Sequence, residues 1–239
     1  MDRPNVKEIY DSFIKSINES KQTRYTGLEE WLHSSSAGLC MRKHFYSQDK
    51  TIILKEGFDA DTLRLFRLGD IVHEDIQKAV QEWANSSGKS IYIEKELYIP
   101  EFKVRGFIDL AFVSDGTLYD IKTCNAWKFK SLEKGDVGNY ALQIGTYGYW
   151  FMQHHDIPLK ELGLVYYNKD KSLIKTITLP IEETIGQVKE YWNLVNSYID
   201  NNELPPIKLG SAPFYKWECN PKYCKYYDVC GGGLKGSTI

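Results

Sequence analysis

Two carboxylates and a lysine stand close together in a part of the chain that has the pattern of a β-hairpin. Asp120 and Lys122 are two residues apart, so in a strand their side chains lie on the same face. Asp109 lies in the preceding strand-like run, and the intervening Asp115-Gly116 is a strong hairpin signal. With the turn at these two residues, position 109 lies opposite roughly position 122, and the three side chains converge.

These residue types suit phosphodiester hydrolysis. Two carboxylates and an ammonium are costly to bury in an apolar sheet unless their charge is compensated. Mg²⁺ or Mn²⁺ bound by oxygen ligands compensates it, neutralises a phosphate and lowers the pKa of a bound water. Lys122 can then orient or deprotonate that water, or stabilise the charge of the transition state. A buried salt bridge between Asp120 and Lys122 is the alternative interpretation.

Three further polar residues are candidates for the same site. His73 lies on the apolar face of the strongest helical pattern, residues 60–85, where a lone histidine is more often a core residue than a ligand. Gln143 and Tyr147 are four residues apart and share one face of a later helix. Both can face a substrate phosphate or the metal.

As an ordered set, these motifs resemble the RecB-type nucleases of the PD-(D/E)XK superfamily. The motifs are Gly-Asp-Ile-Val-His at 69–73, Gly-Phe-Ile-Asp at 106–109, Asp-Ile-Lys at 120–122 and Gln-Ile-Gly-Thr-Tyr at 143–147. The resemblance implies a metal held by His73, Asp109, Asp120 and the backbone carbonyl of Ile121.

The same resemblance assigns the remaining roles. It implies Lys122 as the catalytic lysine, with Gln143 and Tyr147 assisting at the site or on the DNA. It also implies a restriction-endonuclease-like core, which is a mixed sheet flanked by helices.

Four of the five cysteines form a second group. Cys219, Cys224 and Cys230 lie within twelve residues, and Cys40 lies far upstream. Four thiolates suit either Zn²⁺ or an iron–sulfur cluster, and composition does not separate the two. An odd cysteine count without a secretory signal favours metal ligation over disulfides. The fifth cysteine, Cys124, is expected to be a packing residue near the catalytic strand.

One cysteine before the nuclease motifs and three after them resembles the iron–sulfur nucleases. These include the CRISPR-associated RecB-like exonucleases and the AddB-type nuclease subunits. The resemblance implies a [4Fe–4S] cluster. Cys219 and Cys224 are separated by four residues, where those families more often have two, and zinc stays as the alternative. The chain is too short for a helicase domain, so a free-standing exonuclease is the nearer match.

The elements that position these groups are those of an α/β protein. Helical periodicity and strand-like alternation predict a mixed sheet flanked by helices. The predicted helices are 4–21, 60–85, 139–155 and 181–201, and the predicted strands are 90–99, 103–114, 117–124, 161–168 and 173–179. A polar loop is expected at 125–138.

The domain organisation follows from this order. Residues 1–239 are expected to form a single nuclease domain with a catalytic core at 60–200. Residues 34–46 and 205–230 are expected to form a cysteine-clasped iron–sulfur subdomain around that core.

Composition limits the class of protein and its expected location. The chain is 42% hydrophobic and 26% charged, which is ordinary for a soluble globular protein. It has no apolar run long enough to cross a bilayer and no secretory signal, so a cytoplasmic location and no membrane partner are expected. The net charge of −2 argues against nucleic-acid binding by bulk charge and leaves room for a local basic surface.

Two basic surfaces are candidates for DNA binding. The first combines charge with stacking platforms, as single-strand binding requires. It consists of Arg42, Lys43, Tyr215, Lys216, Trp217, Lys222, Tyr223, Lys225, Tyr226 and Tyr227. A solvated face whose aromatics cover the cluster is the alternative. The second surface is Lys128, Lys130 and Lys134, after the catalytic strand.

The leading hypothesis is a metal-dependent exonuclease that acts mainly on single-stranded DNA ends. The resemblance implies DNA end processing, with a CRISPR integrase as partner in spacer acquisition or with recombination proteins in phage recombination and replication. One alternative is a nuclease fold that only binds DNA or an integrase, against which the intact Asp109, Asp120 and Lys122 argue. Another is an RNA-processing nuclease with a zinc clasp.

Overall fold

The computed structural model describes residues 5–23, 30–52, 57–207 and 218–230. The helices are α1 (Val6–Thr23), α2 (Met41–Ser47), α3 (Ala60–Ser87), α4 (Ala126–Ser131), α5 (Tyr140–His154) and α6 (Ile181–Asp200). The strands are β1 (Leu32–His33), β2 (Ile91–Ile99), β3 (Val104–Phe112), β4 (Thr117–Cys124), β5 (Glu161–Asn168) and β6 (Leu173–Leu179).

The strands form one mixed sheet. β2, β3 and β4 are antiparallel neighbours, β5 runs parallel to β4, and β6 is antiparallel to β5. Helices α3 and α5 pack on the sheet, α6 packs on α5, and α1 packs on α3. This mixed sheet flanked by helices confirms the predicted α/β class. Within the described parts of the chain, none of the helices has the length and apolarity needed to cross a membrane.

Apolar side chains of the central strands and of α5 and α6 fill the core. Ile108, Leu118 and Leu164 are fully buried, as expected for strands covered on both faces. Trp192 of α6 is also buried, and its ring N–H donates to Thr146 Oγ1 of α5 at 3.0 Å. That bond fixes α6 on α5 and thereby helps to hold α5 against the sheet.

One edge of β3 is shared by two partners. β2 occupies the other edge along its whole length. On the shared edge, β4 pairs only with Leu110–Phe112, and β1 pairs with Val104 and Arg105. Residues 106–109 lie between these two pairings, and no described strand pairs with them there. Asp109 ends this interval, so its side chain sits where β3 and β4 separate.

Gly106 is required in that interval because two side chains approach its backbone. A Cβ at this position would lie 1.9 Å from Ser34 Oγ and 3.2 Å from Tyr147 Cε1. Any other residue would displace both side chains, so the glycine of the Gly-Phe-Ile-Asp motif has a packing role.

The register and one loop differ from the prediction. The β3–β4 connection spans residues 113–116, a 3₁₀ turn closed by Gly116 at φ +67°, whereas the prediction used a two-residue turn. The Leu110–Tyr119 pair therefore brings position 109 level with Asp120 and not with position 122. The expected polar loop 125–138 contains α4, which begins because the Asn125 side chain accepts a hydrogen bond from the Lys128 N–H at 2.8 Å. The other predicted helices and strands match within two residues at each end.

Candidate active site

Asp109 turns its carboxylate into the gap between β3 and β4. Its Oδ2 accepts a hydrogen bond from the Ile121 N–H at 2.8 Å, so the side chain satisfies an amide that has no strand partner on this side. Its own backbone oxygen accepts from the Gln77 side chain of α3 at 3.0 Å. Burial raises the pKa of Asp109 to about 6.

Asp120 and Lys122 form a buried pair on β4. Lys122 Nζ lies 2.7 Å from Asp120 Oδ2, and Gln143 donates to Oδ1 at 3.0 Å. Burial raises the pKa of Asp120 to about 7. Burial lowers the pKa of Lys122, but the charges of Asp120 and Asp109 outweigh it, so the net shift of that pKa is upward. The ion pair of the alternative interpretation is present, and it is one contact within a larger charged group.

His73 and Glu94 form a set of metal-type ligands with Asp109. His73 Nδ1 lies 3.6 Å from Asp109 Oδ2, and one ligand atom of each of the three residues lies within 4.8 Å of the others. Burial, with the nearby Lys122 charge, lowers the pKa of His73, so the imidazole is neutral and available as a ligand. Asp109, Asp120 and Lys122 lie close together, as the sequence predicts, and His73 lies next to Asp109.

Glu94 was missed in the sequence. The β2–β3 ladder keeps its register but skips the Glu94–Asp109 pair. Glu94 has φ +47°, a conformation that side chains rarely adopt, and Gln77 donates to its Oε1 at 2.7 Å. Glu94 can be recognised from the sequence only when the β2–β3 register is known, because that register places it opposite Asp109.

Helix α5 supports the pair on β4 from two positions. The Gln143 amide donates both to Asp120 and to the Tyr147 hydroxyl, the latter at 2.7 Å. Gln143 and Tyr147 are only 4% and 2% exposed, so they support Asp120 from the protein interior and are not accessible to DNA. Tyr140, one turn earlier, was not predicted, and its ring centre lies 4.9 Å from Lys122 Nζ.

The cysteine group is brought together as predicted. Cys40, Cys219, Cys224 and Cys230 line one cavity, and the Arg42 guanidinium donates to the Cys230 sulfur at 3.3 Å. Burial raises the pKa of Cys40 and of Cys219. Cys124 does not line this cavity and is buried in the core, as expected for a packing residue.

Glu218 joins the two cysteine segments through protein atoms alone. It is 2% exposed and directly precedes Cys219. One oxygen, Oε2, accepts from the Cys40 N–H at 2.9 Å and lies 3.0 Å from Lys43 Nζ. Arg42 adds a second link, because its Nε donates to the Pro205 carbonyl at 2.6 Å.

These contacts change the basic surfaces expected from the sequence. Arg42 and Lys43 are turned toward protein partners, and Lys128 pairs with Asp136 at 3.0 Å. They are therefore not free for DNA in this structure.

The aromatic part of the first surface is partly retained. Lys222 lies over the Tyr223 ring at 5.9 Å, and Lys225 lies over the Tyr226 ring at 5.1 Å. Tyr226 is buried, whereas Tyr223 is exposed. The predicted members that lie outside the described residues are Tyr215, Lys216 and Trp217.

Comparison with protein families decides the assignment of the chain. Residues 67–231 match the model of the PD-(D/E)XK nuclease superfamily. The chain belongs to the PD-(D/E)XK nuclease superfamily. The matched region contains both carboxylates of the β3–β4 gap, the lysine beside them and the three C-terminal cysteines.

Solved structures share this PD-(D/E)XK fold. The crystal structure of SSO0001 is similar with a TM-score of 0.57 at 17% identity, over 94% of this chain and 97% of that one. An alkaline exonuclease from Laribacter hongkongensis is similar with a TM-score of 0.50 at 12% identity, over 76% of this chain and 93% of that one. At these identities the similarity concerns the fold. No curated protein matches the sequence.

Proposed function

We propose that this member of the PD-(D/E)XK superfamily is a divalent-metal-dependent nuclease that hydrolyses phosphodiester bonds in DNA. One observation carries the proposal. Asp109, Asp120 and Lys122 meet at the β3–β4 gap, with His73 and Glu94 beside them. Two buried carboxylates beside a lysine have few structural uses and suit phosphoryl chemistry.

The residues fit a divalent cation such as Mg²⁺ or Mn²⁺. Asp120 Oδ2 is buried and accepts no hydrogen bond of ordinary geometry, although Lys122 Nζ is close. His73, Asp109, Asp120 and the Ile121 carbonyl are the proposed ligands, and Glu94 is added to them from the structure. When bound, the cation neutralises the phosphate and lowers the pKa of a coordinated water.

The remaining steps belong to side chains of this chain. The Lys122 ammonium orients the attacking water or stabilises the negative charge that develops on the phosphate oxygens. Gln143 fixes the Asp120 carboxylate, and Tyr147 fixes Gln143, so the carboxylate needs no rearrangement before the reaction.

We infer that the substrate is a DNA end, with preference for single strands. The similar fold of a protein named as an alkaline exonuclease supports this, as do two exposed aromatic residues. Trp127 on α4, directly after β4, is 78% exposed, and Tyr223 beside Lys222 is 52% exposed. Unpaired bases stack on exposed rings, whereas bases within a duplex are already stacked on each other.

We propose that the four cysteines hold a [4Fe–4S] cluster, within a subdomain formed by residues 34–46 and 205–230. The shared cavity of the four cysteines and the sequence resemblance to the iron–sulfur nucleases support this proposal. Four thiolates also suit tetrahedral Zn²⁺, so zinc is the second choice.

DNA end processing in the cytoplasm is the proposed biological role. Its support is the sequence resemblance to the RecB-type and iron–sulfur nucleases. The partners it suggests are a CRISPR integrase or phage recombination proteins.

End-labelled single- and double-stranded DNA and RNA, incubated with Mg²⁺ or Mn²⁺, test the activity. We expect stepwise release of nucleotides from DNA ends, faster from single strands, and none from an Asp109→Asn/Asp120→Asn protein. Cleavage of circular DNA would replace the exonuclease with an endonuclease, and cleavage of RNA alone would favour the RNA-processing alternative. A folded, metal-bound protein that cleaves none of these substrates would contradict the proposal.

A further inference from the structure

Lys122 is held by contacts from two different elements. Its Nζ lies 2.7 Å from Asp120 Oδ2 on its own strand and 4.9 Å from the centre of the Tyr140 ring on α5. An ammonium above an aromatic face is attracted by the negative face of the ring, and more strongly where water is excluded. The Lys122 side chain is 16% exposed, so the contact with Tyr140 is largely shielded from water.

The contact with Asp120 is subject to competition. Asp120 Oδ1 accepts from Gln143, and Oδ2 faces Lys122. If Asp120 also binds a cation, as the proposed function requires, one of these oxygens must serve an additional partner of positive charge. The contact between Lys122 and the Tyr140 ring uses no carboxylate oxygen. It therefore persists when a cation binds the Asp120 carboxylate.

Helix α5 is built to make both contacts at once. Tyr140 and Gln143 are three residues apart and therefore lie on one helix face, Tyr140 toward Lys122 and Gln143 toward Asp120. The ring of Tyr140 packs beside Tyr166 with centroids 6.3 Å apart, which restricts its orientation. One helix thus sets the positions of both members of the β4 pair.

We propose that Tyr140 is a positioning residue that keeps the Lys122 ammonium at the reaction site while Asp120 serves the metal. The catalytic consequence rests on the proposed function, whereas the contact itself does not. The aromatic ring, and not the hydroxyl, is the part of Tyr140 that acts.

Two substitutions separate ring from hydroxyl. Tyr140→Phe keeps the ring and should cleave at the wild-type rate, whereas Tyr140→Leu should lower kcat about tenfold with an unchanged KM for the oligonucleotide. Tyr149→Leu is the matched control, because Lys189 lies over the Tyr149 ring at 5.3 Å. Tyr149 is on the same helix, nine residues from Tyr140 and on its opposite face, so its loss costs packing but should leave kcat unchanged.

A second readout does not depend on activity. In metal-free protein with ¹³C-labelled lysine, the ε-methylene of Lys122 should resonate upfield because of the ring current of Tyr140. The signal is assigned by its absence from Lys122→Met. The upfield shift should remain in Tyr140→Phe and vanish in Tyr140→Leu.

The outcomes separate this inference from the proposed function. A folded Tyr140→Leu protein with full kcat, or a wild type without the upfield shift, would overturn the role of Tyr140. A wild type that shows the shift but cleaves no nucleic acid would overturn the proposed function, and with it the catalytic role of Tyr140, while the contact would be confirmed.

Discussion

One carboxylate oxygen of Asp109 has a structural role and also lies at the proposed metal site. Its Oδ2 accepts a hydrogen bond from the Ile121 N–H across the β3–β4 gap and lies near His73, one of the proposed ligands. Asp120 is similar, because its carboxylate is fixed by α5 and paired with Lys122. Both carboxylates are buried and have raised pKa values, which means that keeping them ionised inside the protein lowers the free energy of unfolding.

Neutralising either carboxylate should stop cleavage without loss of the fold. Asp109→Asn and Asp120→Asn keep the shape but remove a charged oxygen from the proposed metal site, and we expect a fall in rate of about 10²-fold or more. In the metal-free protein, Asp109→Asn should leave the thermal stability unchanged or higher, because a buried charge is removed, whereas Asp120→Asn should lower it, because the buried Lys122 ammonium loses its partner. Cleavage rates and melting curves on the same preparations test this, and near-wild-type cleavage by either folded variant would refute the centre.

Glu94 gives a sharper test of the metal site. Glu94→Gln should weaken Mn²⁺ binding about 10- to 100-fold in calorimetry, since it removes one charged oxygen from the set around Asp109. Glu96→Gln is the control, because Glu96 lies two residues along the same strand and bonds to Tyr98 at 2.7 Å. Equal affinities for the two variants would exclude Glu94 as a ligand.

At this scale, local patterns predicted part of the site. Asp120 and Lys122 share a face because of strand alternation, and Asp109 follows from the hairpin signal between them. Glu94 and Tyr140 were missed because nothing near them in the sequence marks them. Their meeting with Asp109 and Lys122 depends on the β2–β3 register and on how α5 packs.

Among the elements, α4 departs most from expectation. It has six residues, too few for a periodic pattern, and two contacts at its start stabilise it. Asn125 caps it, and the distant Asp170 accepts from the Ala126 N–H at 2.7 Å. The second contact is tertiary, so the sequence of residues 125–138 alone predicts a loop. The result is a short, anchored helix that exposes Trp127 directly after β4.

Trp127 should therefore contribute to binding unpaired DNA. Trp127→Ala should weaken metal-free binding of a single-stranded oligonucleotide about 5- to 100-fold, and Trp127→Phe should retain most of it. Duplex binding should change little. Fluorescence anisotropy measures both, with Trp83→Ala as control, since Trp83 is 48% exposed on α3. If the two alanine variants bind equally well, Trp127 is not a stacking platform.

The packing of α2 against α6 predicts a dependence of stability on pH. His44 is buried, with Nε2 2.8 Å from the Tyr191 hydroxyl, and burial lowers its pKa to about 4. The unfolded chain binds this proton near pH 6.5, so the free energy of unfolding falls as pH drops from there toward 4. Between pH 7 and 5 the expected loss from this group is about 2 kcal/mol.

His44→Gln isolates this contribution from those of other titrating groups. Urea unfolding at the two pH values should show a smaller loss in the variant than in the wild type. The same pH dependence in both proteins would contradict a buried, neutral His44.

For the whole molecule, the cysteine cavity joins Cys40, which precedes the main strands of the sheet, to three cysteines that follow the last helix. Anaerobically purified protein should be brown, with about four irons per chain. Cys40→Ser and Cys224→Ser should both lose the iron and melt earlier, whereas Cys124→Ser should keep both properties. Iron analysis and thermal melts check this. A colourless wild type with one zinc would replace the cluster by zinc, and a brown, fully stable Cys40→Ser protein would refute Cys40 as a ligand.

The fold as a whole was largely predictable, because long helices and alternating strands carry their periodicity in the sequence. The arrangement of β3 was not. β1 has only two residues and no pattern of its own, yet it takes the edge of β3 that β4 leaves, and so limits the gap at Asp109. The turn at 113–116 likewise sets the register between β3 and β4. This register pairs position 109 with position 120, whereas a two-residue turn at Asp115-Gly116 would pair it with position 122.

The Glu218 contact bears on how the protein matures. The Glu218 carboxylate accepts from the Cys40 N–H and pairs with Lys43, so protein contacts link the two segments that supply the thiols of the cavity. If the proposed cluster is bound there, its iron and sulfide can be delivered after these segments have met. Small zinc domains, by contrast, stay unfolded until their metal binds.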